Sequence, residues 1–149
     1  MTKKVLVGMS GGVDSSVAAA LLIDQGFEVT GAFMKNWSDD DGTPYCSVKE
    51  DFLDAASVCQ KLDIELIQLN FAKEYSVKVF DYFLSGLKEG KTPNPDIFCN
   101  KYIKFEEFFN YAEDNNYDFV ATGHYCQTEK SEDETFLIKA VDQLKDQTY

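Results

Sequence analysis

The spacing of apolar residues changes repeatedly along the chain, and each change marks an element. Val5-Leu6-Val7-Gly8-Met9 is an unbroken apolar run that stops at glycines, as a strand buried on both faces does. From Val13 to Gln25, Val17, Ala20, Leu21 and Ile23 recur at helical spacing, and Gly26 closes the helix. Phe27 to Met34 reads as a second buried strand. Asn36 to Tyr45, with three successive aspartates, Gly42 and Pro44, reads as an exposed loop. Ser47 can cap a helix that runs to Leu62 through Phe52, Leu53, Ala56 and Val58. Ile64 to Leu69 is a third strand, and a helix from about Ala72 to Lys88 follows.

Gly90-Lys91-Thr92-Pro93-Asn94-Pro95-Asp96 interrupts the pattern, since two prolines this close fit neither a helix interior nor a central strand. Cys99 through Ala112 resumes helical spacing, Tyr117 to Thr122 is a fourth strand that ends at Gly123, and Thr135 to Ala140 has strand character. Alternation of strand and helix predicts an α/β fold, a doubly wound parallel sheet with helices on both faces. Aromatic residues at helical spacing, Tyr75, Phe80, Tyr82 and Phe83, then Phe105, Phe108 and Phe109, read as core. The polar stretch from Val141 to Tyr149 lacks a closing element, and the expectation is a domain cut from a longer protein.

Composition narrows the function classes. With 149 residues and 44% hydrophobic positions the chain suits one domain. Its net charge of -12 argues against holding a polyanion by phosphate neutralisation alone. Cys46, Cys59, Cys99 and Cys126 form no CxxC pair, and His124 is the single histidine, so a zinc ribbon is not indicated. There is no long apolar stretch and no cleavage site behind Met1, which predicts a cytoplasmic protein without a membrane partner.

Two segments carry candidate chemistry. Ser10-Gly11-Gly12-Val13-Asp14-Ser15-Ser16 lies between the first strand and first helix, where open parallel sheets bind ligands. Its glycines can turn backbone N–H groups toward phosphate, its serines offer hydroxyls, and Asp14 can hold Mg²⁺; the alternative is a plain turn with helix caps. No lysine follows the glycines, so it is neither GxxxxGK[ST] nor GxGxxG. In the second segment, Thr92 to Lys101, a rigid turn feeds a helix starting near Cys99. A helix N-terminus there would favour the thiolate, with Asp96 as a proton-exchanging neighbour; the alternative is a buried structural cysteine. Trp37 stands in the acidic loop either to stack on adenine or to cover the sheet edge, and His124 either orients backbone or meets nucleotide.

The loop resembles the signature of the PP-loop ATP pyrophosphatases. Gly8 to Ser15, Asn94-Pro95-Asp96 with Cys99-Asn100-Lys101 and Lys104-Phe105, Ala121-Thr122-Gly123-His124-Tyr125 and Lys145-Asp146-Gln147-Thr148-Tyr149 together resemble the tRNA-specific 2-thiouridylases, the MnmA/TrmU family. That resemblance implies sulfur transfer to the wobble uridine of tRNA: ATP adenylates the C2 oxygen, and persulfide sulfur from a cysteine desulfurase or sulfur-relay protein displaces AMP. By the same likeness Gly8, Met9, Ser10, Gly11, Gly12, Val13, Asp14, Ser15, Met34 and Gly123 contact ATP. Asn94, Pro95 and Asp96 touch the target base, Cys99 is the nucleophile with Asp96 beside it, and Lys145, Asp146 and Gln147 meet tRNA. The resemblance also implies a disulfide bond, and a persulfide-carrying cysteine that family members place well after this last segment. Cys126 lies too early to match it, so the chain alone is expected to bind ATP without completing thiolation. Another PP-loop adenylating synthetase, or a non-catalytic nucleotide-binding module, are the alternative functions.

Overall fold

In the computed structural model, residues 2–36, 48–142, 144, 145, 147 and 148 are described. Strand β1 (Lys4–Gly8), helix α1 (Val13–Asp24) and strand β2 (Glu28–Lys35) open the chain, followed by α2 (Val48–Leu62) and β3 (Leu66–Asn70). Two longer helices come next, α3 over residues 72–88 and α4 over 95–114, then β4 (Phe119–Thr122), β5 (Cys126–Lys130) and β6 (Thr135–Lys139).

Four strands form a parallel sheet in the order β3-β2-β1-β4. The first two crossovers run one way from β1, and the third returns across the sheet to place β4 on the other side of β1. Alternate side chains of β1 feed opposite cores, which is why its sequence is continuously apolar. Val5, Val7 and Met9 pack with Ala19, Ala55 and Cys59 on the face covered by α1 and α2, while Leu6 packs with Phe108 and Ala112 of α4 on the other. The expected doubly wound sheet is therefore present, and Cys59 of α2 is buried in its core.

Both long helices contain a segment of wider pitch. In α3 the Asp81 N–H reaches Ser76 O, and in α4 the Phe108 N–H reaches Ile103 O, each a five-residue step. Lys78 of α3 joins the two helices through Glu106 and Glu107 of α4, at 2.7 Å to the latter.

Three expectations change. Helix α4 begins at Pro95, with the Asn94 side chain accepting from the Asp96 N–H at 2.9 Å, so the second proline starts the helix and Cys99 sits a full turn inside it. Strand β6 belongs to an antiparallel hairpin with β5, outside the alternating pattern. Of the aromatics read as core, Phe108 is fully buried, but Tyr82, Phe105 and Phe109 are about half exposed. Each of those helices buries one stripe, and its aromatic residues span a wider arc than that stripe. The Tyr82 ring instead lies 4.2 Å from that of Phe98, and Phe105 meets the His124 ring edge-on. Trp37 and Cys46 lie outside the described residues.

Candidate functional site

The reversal of strand order between β1 and β4 opens a crevice beyond their carboxyl ends, the place where such sheets receive ligands. The loop from β1 to α1 fills its floor. Ser10 N–H and Ser15 Oγ are 3.2 Å apart, Ser15 Oγ donates to Gly12 O at 3.2 Å, and Gly12 N–H donates to Ser10 Oγ at 3.3 Å. These bonds fix the loop from within. Gly11 has φ 79°, a left-handed conformation that suits glycine, and no side chain among the described residues caps the first turn of α1. The first-turn N–H groups and the helix dipole are thus left to an anion.

Gly123, directly after β4, lies against this turn. A Cβ there would be 2.4 Å from the Ser15 nitrogen and 2.6 Å from the Asp14 carbonyl carbon, so only glycine lets the exit of β4 approach the first turn of α1 this closely.

A cleft of about 490 Å³ extends from the loop. Gly8, Met9, Ser10, Asp14 and Ser15 line one side, Met34 and Asn36 the end of β2, and Gly123 and His124 the exit of β4. Helices α3 and α4 contribute Tyr75, Cys99 and Lys104, and Lys145 and Gln147 fold over from the last segment. That segment is held by His124 Nε2 donating to Gln147 O at 2.6 Å, Tyr125 N–H to Gln147 Oε1 at 3.0 Å, and Gln147 N–H to Tyr125 O at 3.3 Å. His124 therefore orients backbone, the first of the two roles weighed for it.

The expected ligand residues Gly8, Met9, Ser10, Asp14, Ser15, Met34 and Gly123 converge in one cavity with the expected nucleophile Cys99. Gly11, Gly12 and Val13 do not line it, and Val13, in the first turn of α1, is 76% exposed. Asn94 and Asp96 are exposed at the start of α4 and do not line the cleft, nor does Pro95, while Asp146 lies outside the described residues. Asn36, Tyr75 and Lys104 were not expected in the site: Tyr75 was read as core, and Lys104 stood in the motif set without a role. Asn36 carried a readable signal, a polar residue two places beyond Met34 at the carboxyl end of a buried strand.

The thiol of Cys99 is not lowered as a helix N-terminus would have it. Burial pushes it above its ordinary value, the Lys104 ammonium pulls the other way, and the Asp96 carboxylate adds to the rise. Tyr75 is raised by burial first, then by Cys99 and Asp96, so these groups share one electrostatic neighbourhood. No disulfide joins the described cysteines; Cys59, Cys99 and Cys126 are free thiols. Cys59 lies in the core and Cys126 at the start of β5, neither placed to bridge to the cleft thiol.

The residues present fit an adenine nucleotide. The uncapped helix terminus and serine cradle suit phosphates, and the buried Asn36 Oδ1 lacks a hydrogen-bond partner among the described residues. Such an orphan acceptor, beside the apolar Met34 and Phe33, calls for a donor such as a base's exocyclic amine.

Residues 3–149 match the tRNA methyl transferase HUP domain. The chain belongs to this family. Within it, the chain is 57% identical over 148 residues to the tRNA-specific 2-thiouridylase MnmA of Proteus mirabilis, covering 99% of this chain and 40% of the relative. It is 54% identical over 149 residues to the protein of that name from Methylococcus capsulatus, covering all of this chain and 40% of the relative. These identities bear out the likeness read from the motifs, and the HUP domain spans about two fifths of the length of such relatives. Among solved structures, the U34-tRNA thiolase NcsA of Methanococcus maripaludis, with its 4Fe-4S cluster, superposes with a TM-score of 0.58 at 25% identity. The match covers 83% of this chain and 39% of that one.

Proposed function

We propose that this chain is the nucleotide-activating domain of an enzyme that replaces the C2 oxygen of the tRNA wobble uridine with sulfur. The observation that carries the reading is the convergence of the serine-glycine cradle, the Asn36 acceptor and the Cys99 thiol in one cleft. An oxygen must be made a leaving group at one end of such a site and a soft nucleophile must act at the other.

In this reading the loop from Gly8 to Ser15, of which Gly8, Met9, Ser10, Asp14 and Ser15 line the cleft, holds the phosphates of ATP, Met34 and Gly123 border the nucleotide, and Asp14 offers a carboxylate to Mg²⁺, which would shield phosphate charge. The uridine C2 oxygen attacks the α-phosphorus and pyrophosphate leaves with the bonding pair. The terminal sulfur of a donor's persulfide then attacks C2, and AMP departs with the oxygen. Cys99 thiolate attacks the carrier sulfur and breaks the S–S bond. Sulfur stays on the ring, and a disulfide forms between Cys99 and the carrier for an external dithiol to reduce. Lys104 favours the thiolate that this step consumes. Asn94, Pro95 and Asp96, at the start of α4, meet the base, and Lys145 and Gln147, which line the cleft, meet tRNA together with Asp146.

A domain with net charge -12 leaves most tRNA affinity to basic surface elsewhere, so these residues alone bind ATP without completing thiolation. Among the described residues no helix is long and apolar enough to cross a membrane. A tRNA substrate and a reactive thiol suit a reducing cytoplasm.

Mass spectrometry of unmodified tRNA incubated with the full-length protein, ATP and a persulfide donor tests this. The expected result is a sulfur-for-oxygen mass gain at the wobble uridine, lost with Cys99→Ser. A Cys99→Ser protein that retains full activity sinks the sulfur-transfer reading in favour of another adenylating synthetase.

A further inference from the structure

The phosphate loop contains no lysine, yet a triphosphate bound by a domain of net charge -12 needs a cation near its tail. Among the described residues the lysines lining the cleft are Lys104 and Lys145. Lys104 stands at the Cys99 end, where its charge acts on the thiol. Lys145 stands at the loop end: its Nζ lies 3.8 Å from Asp14 Oδ2, in the first turn of α1, and 4.3 Å from the centroid of the Tyr125 ring. We propose that Lys145 binds the β- and γ-phosphates of ATP, and that its pairing with Asp14 is the resting arrangement that ATP and Mg²⁺ displace.

This inference rests on the ATP reading above. Three features support it. The ammonium is positioned from outside the loop, because Gln147, two residues on, is fastened to His124 and Tyr125 by three hydrogen bonds. The Tyr125 face holds the cation over the loop even when its anionic partner changes. The Lys145 and Asp14 side chains are 47% and 42% exposed, so their pair is weak and readily exchanged. When Mg²⁺ takes the Asp14 carboxylate, the ammonium is released beside the phosphates, where it offsets the charge that accumulates on departing pyrophosphate. The segment thereby acts on the nucleotide before any RNA arrives.

Calorimetric titration with Mg²⁺ and α,β-methylene-ATP, and separately with AMP, both without tRNA, tests the assignment on wild-type, Lys145→Ala and Lys145→Arg proteins. Lys145→Ala is expected to weaken the triphosphate analogue about tenfold or more, about 1.4 kcal/mol, and to leave AMP within about twofold, with Lys145→Arg restoring most of the loss. Unchanged binding of the analogue by Lys145→Ala overturns the proposal and leaves the lysine to tRNA. Equal losses for the analogue and AMP overturn it in favour of a structural role for the segment. Wild-type protein that binds neither ligand overturns the ATP reading itself, and this assignment with it.

Discussion

Tyr125 donates its hydroxyl to Asp14 Oδ1 at 3.1 Å, joining the chain just beyond β4 to the first turn of α1. The carboxylate acceptor and its charge hold the phenol above its ordinary titration range, since losing the proton would set two negative charges side by side. Asp14→Asn removes the charge, so Tyr125 should ionise at lower pH than in the wild type. Alkaline absorbance titration, with Tyr125→Phe supplying the difference spectrum, checks this. An unshifted phenol would show that the two groups are not paired in solution.

Gly123→Ala should act on the loop from the opposite strand. The added methyl meets the backbone of Asp14 and Ser15 at 2.4–2.6 Å, a clash that no side-chain rotation relieves. A loss of about 1–3 kcal/mol is expected from overpacking of this kind. Urea denaturation measures it, and ATP titration should show weakened binding in the fraction that remains folded.

Alkylation of Cys99 tests its surroundings without the reaction. Because burial raises the thiol, the thiolate fraction at neutral pH is small and the rate of iodoacetamide labelling should climb with pH beyond the ordinary cysteine range. Lys104→Ala removes the one group that lowers the thiol, so labelling at fixed pH should slow. Asp96→Asn removes a group that raises it, so labelling should quicken. Peptide mapping by mass spectrometry separates Cys99 from Cys126. Rates insensitive to both substitutions would place the two charges too far away to matter.

Much of this architecture was readable in the sequence because the sheet is parallel. Strands such as Val5 to Met9, covered on both faces, write themselves as unbroken apolar runs, and their ends locate the ligand loops. Hairpin strand β5 gave no such sign: Gln127, Thr128, Glu129 and Lys130 are exposed, so no alternation of burial was imprinted on them. Pro95 was read as a break when it begins a helix, a position where the ring's fixed φ and missing N–H cost nothing. Site residues on strand ends were recoverable for the same reason as the loops. Tyr75 and Lys104 lie inside helices, where the first reads as a core aromatic and the second as a cation with no assigned role. Only the packing of α3 and α4 turns them toward Cys99, and the five-residue step of α4 sets Lys104 about one turn beyond it.

Asn36→Ala should expose what the buried amide reads. If Asn36 Oδ1 accepts from the adenine amine, wild-type protein prefers ATP to inosine triphosphate, which presents a carbonyl there. The substitution should shrink that preference several-fold, consistent with one hydrogen bond of about 0.5–1.5 kcal/mol. Competition binding with the two nucleotides provides the ratio, and an unchanged ratio would assign the amide to another partner.

The register of β1 carries a consequence for how the domain holds together. Val7 pairs with Gly31 on one side and with Ala121 on the other, so one edge of the crevice is set by near neighbours in sequence and the other by a strand from far along the chain. Gly123 lies against the first turn of α1 where β4 pairs with β1, so that pairing completes the crevice. On the ATP reading, a nucleotide bound there would act as a latch on β4, slowing its detachment.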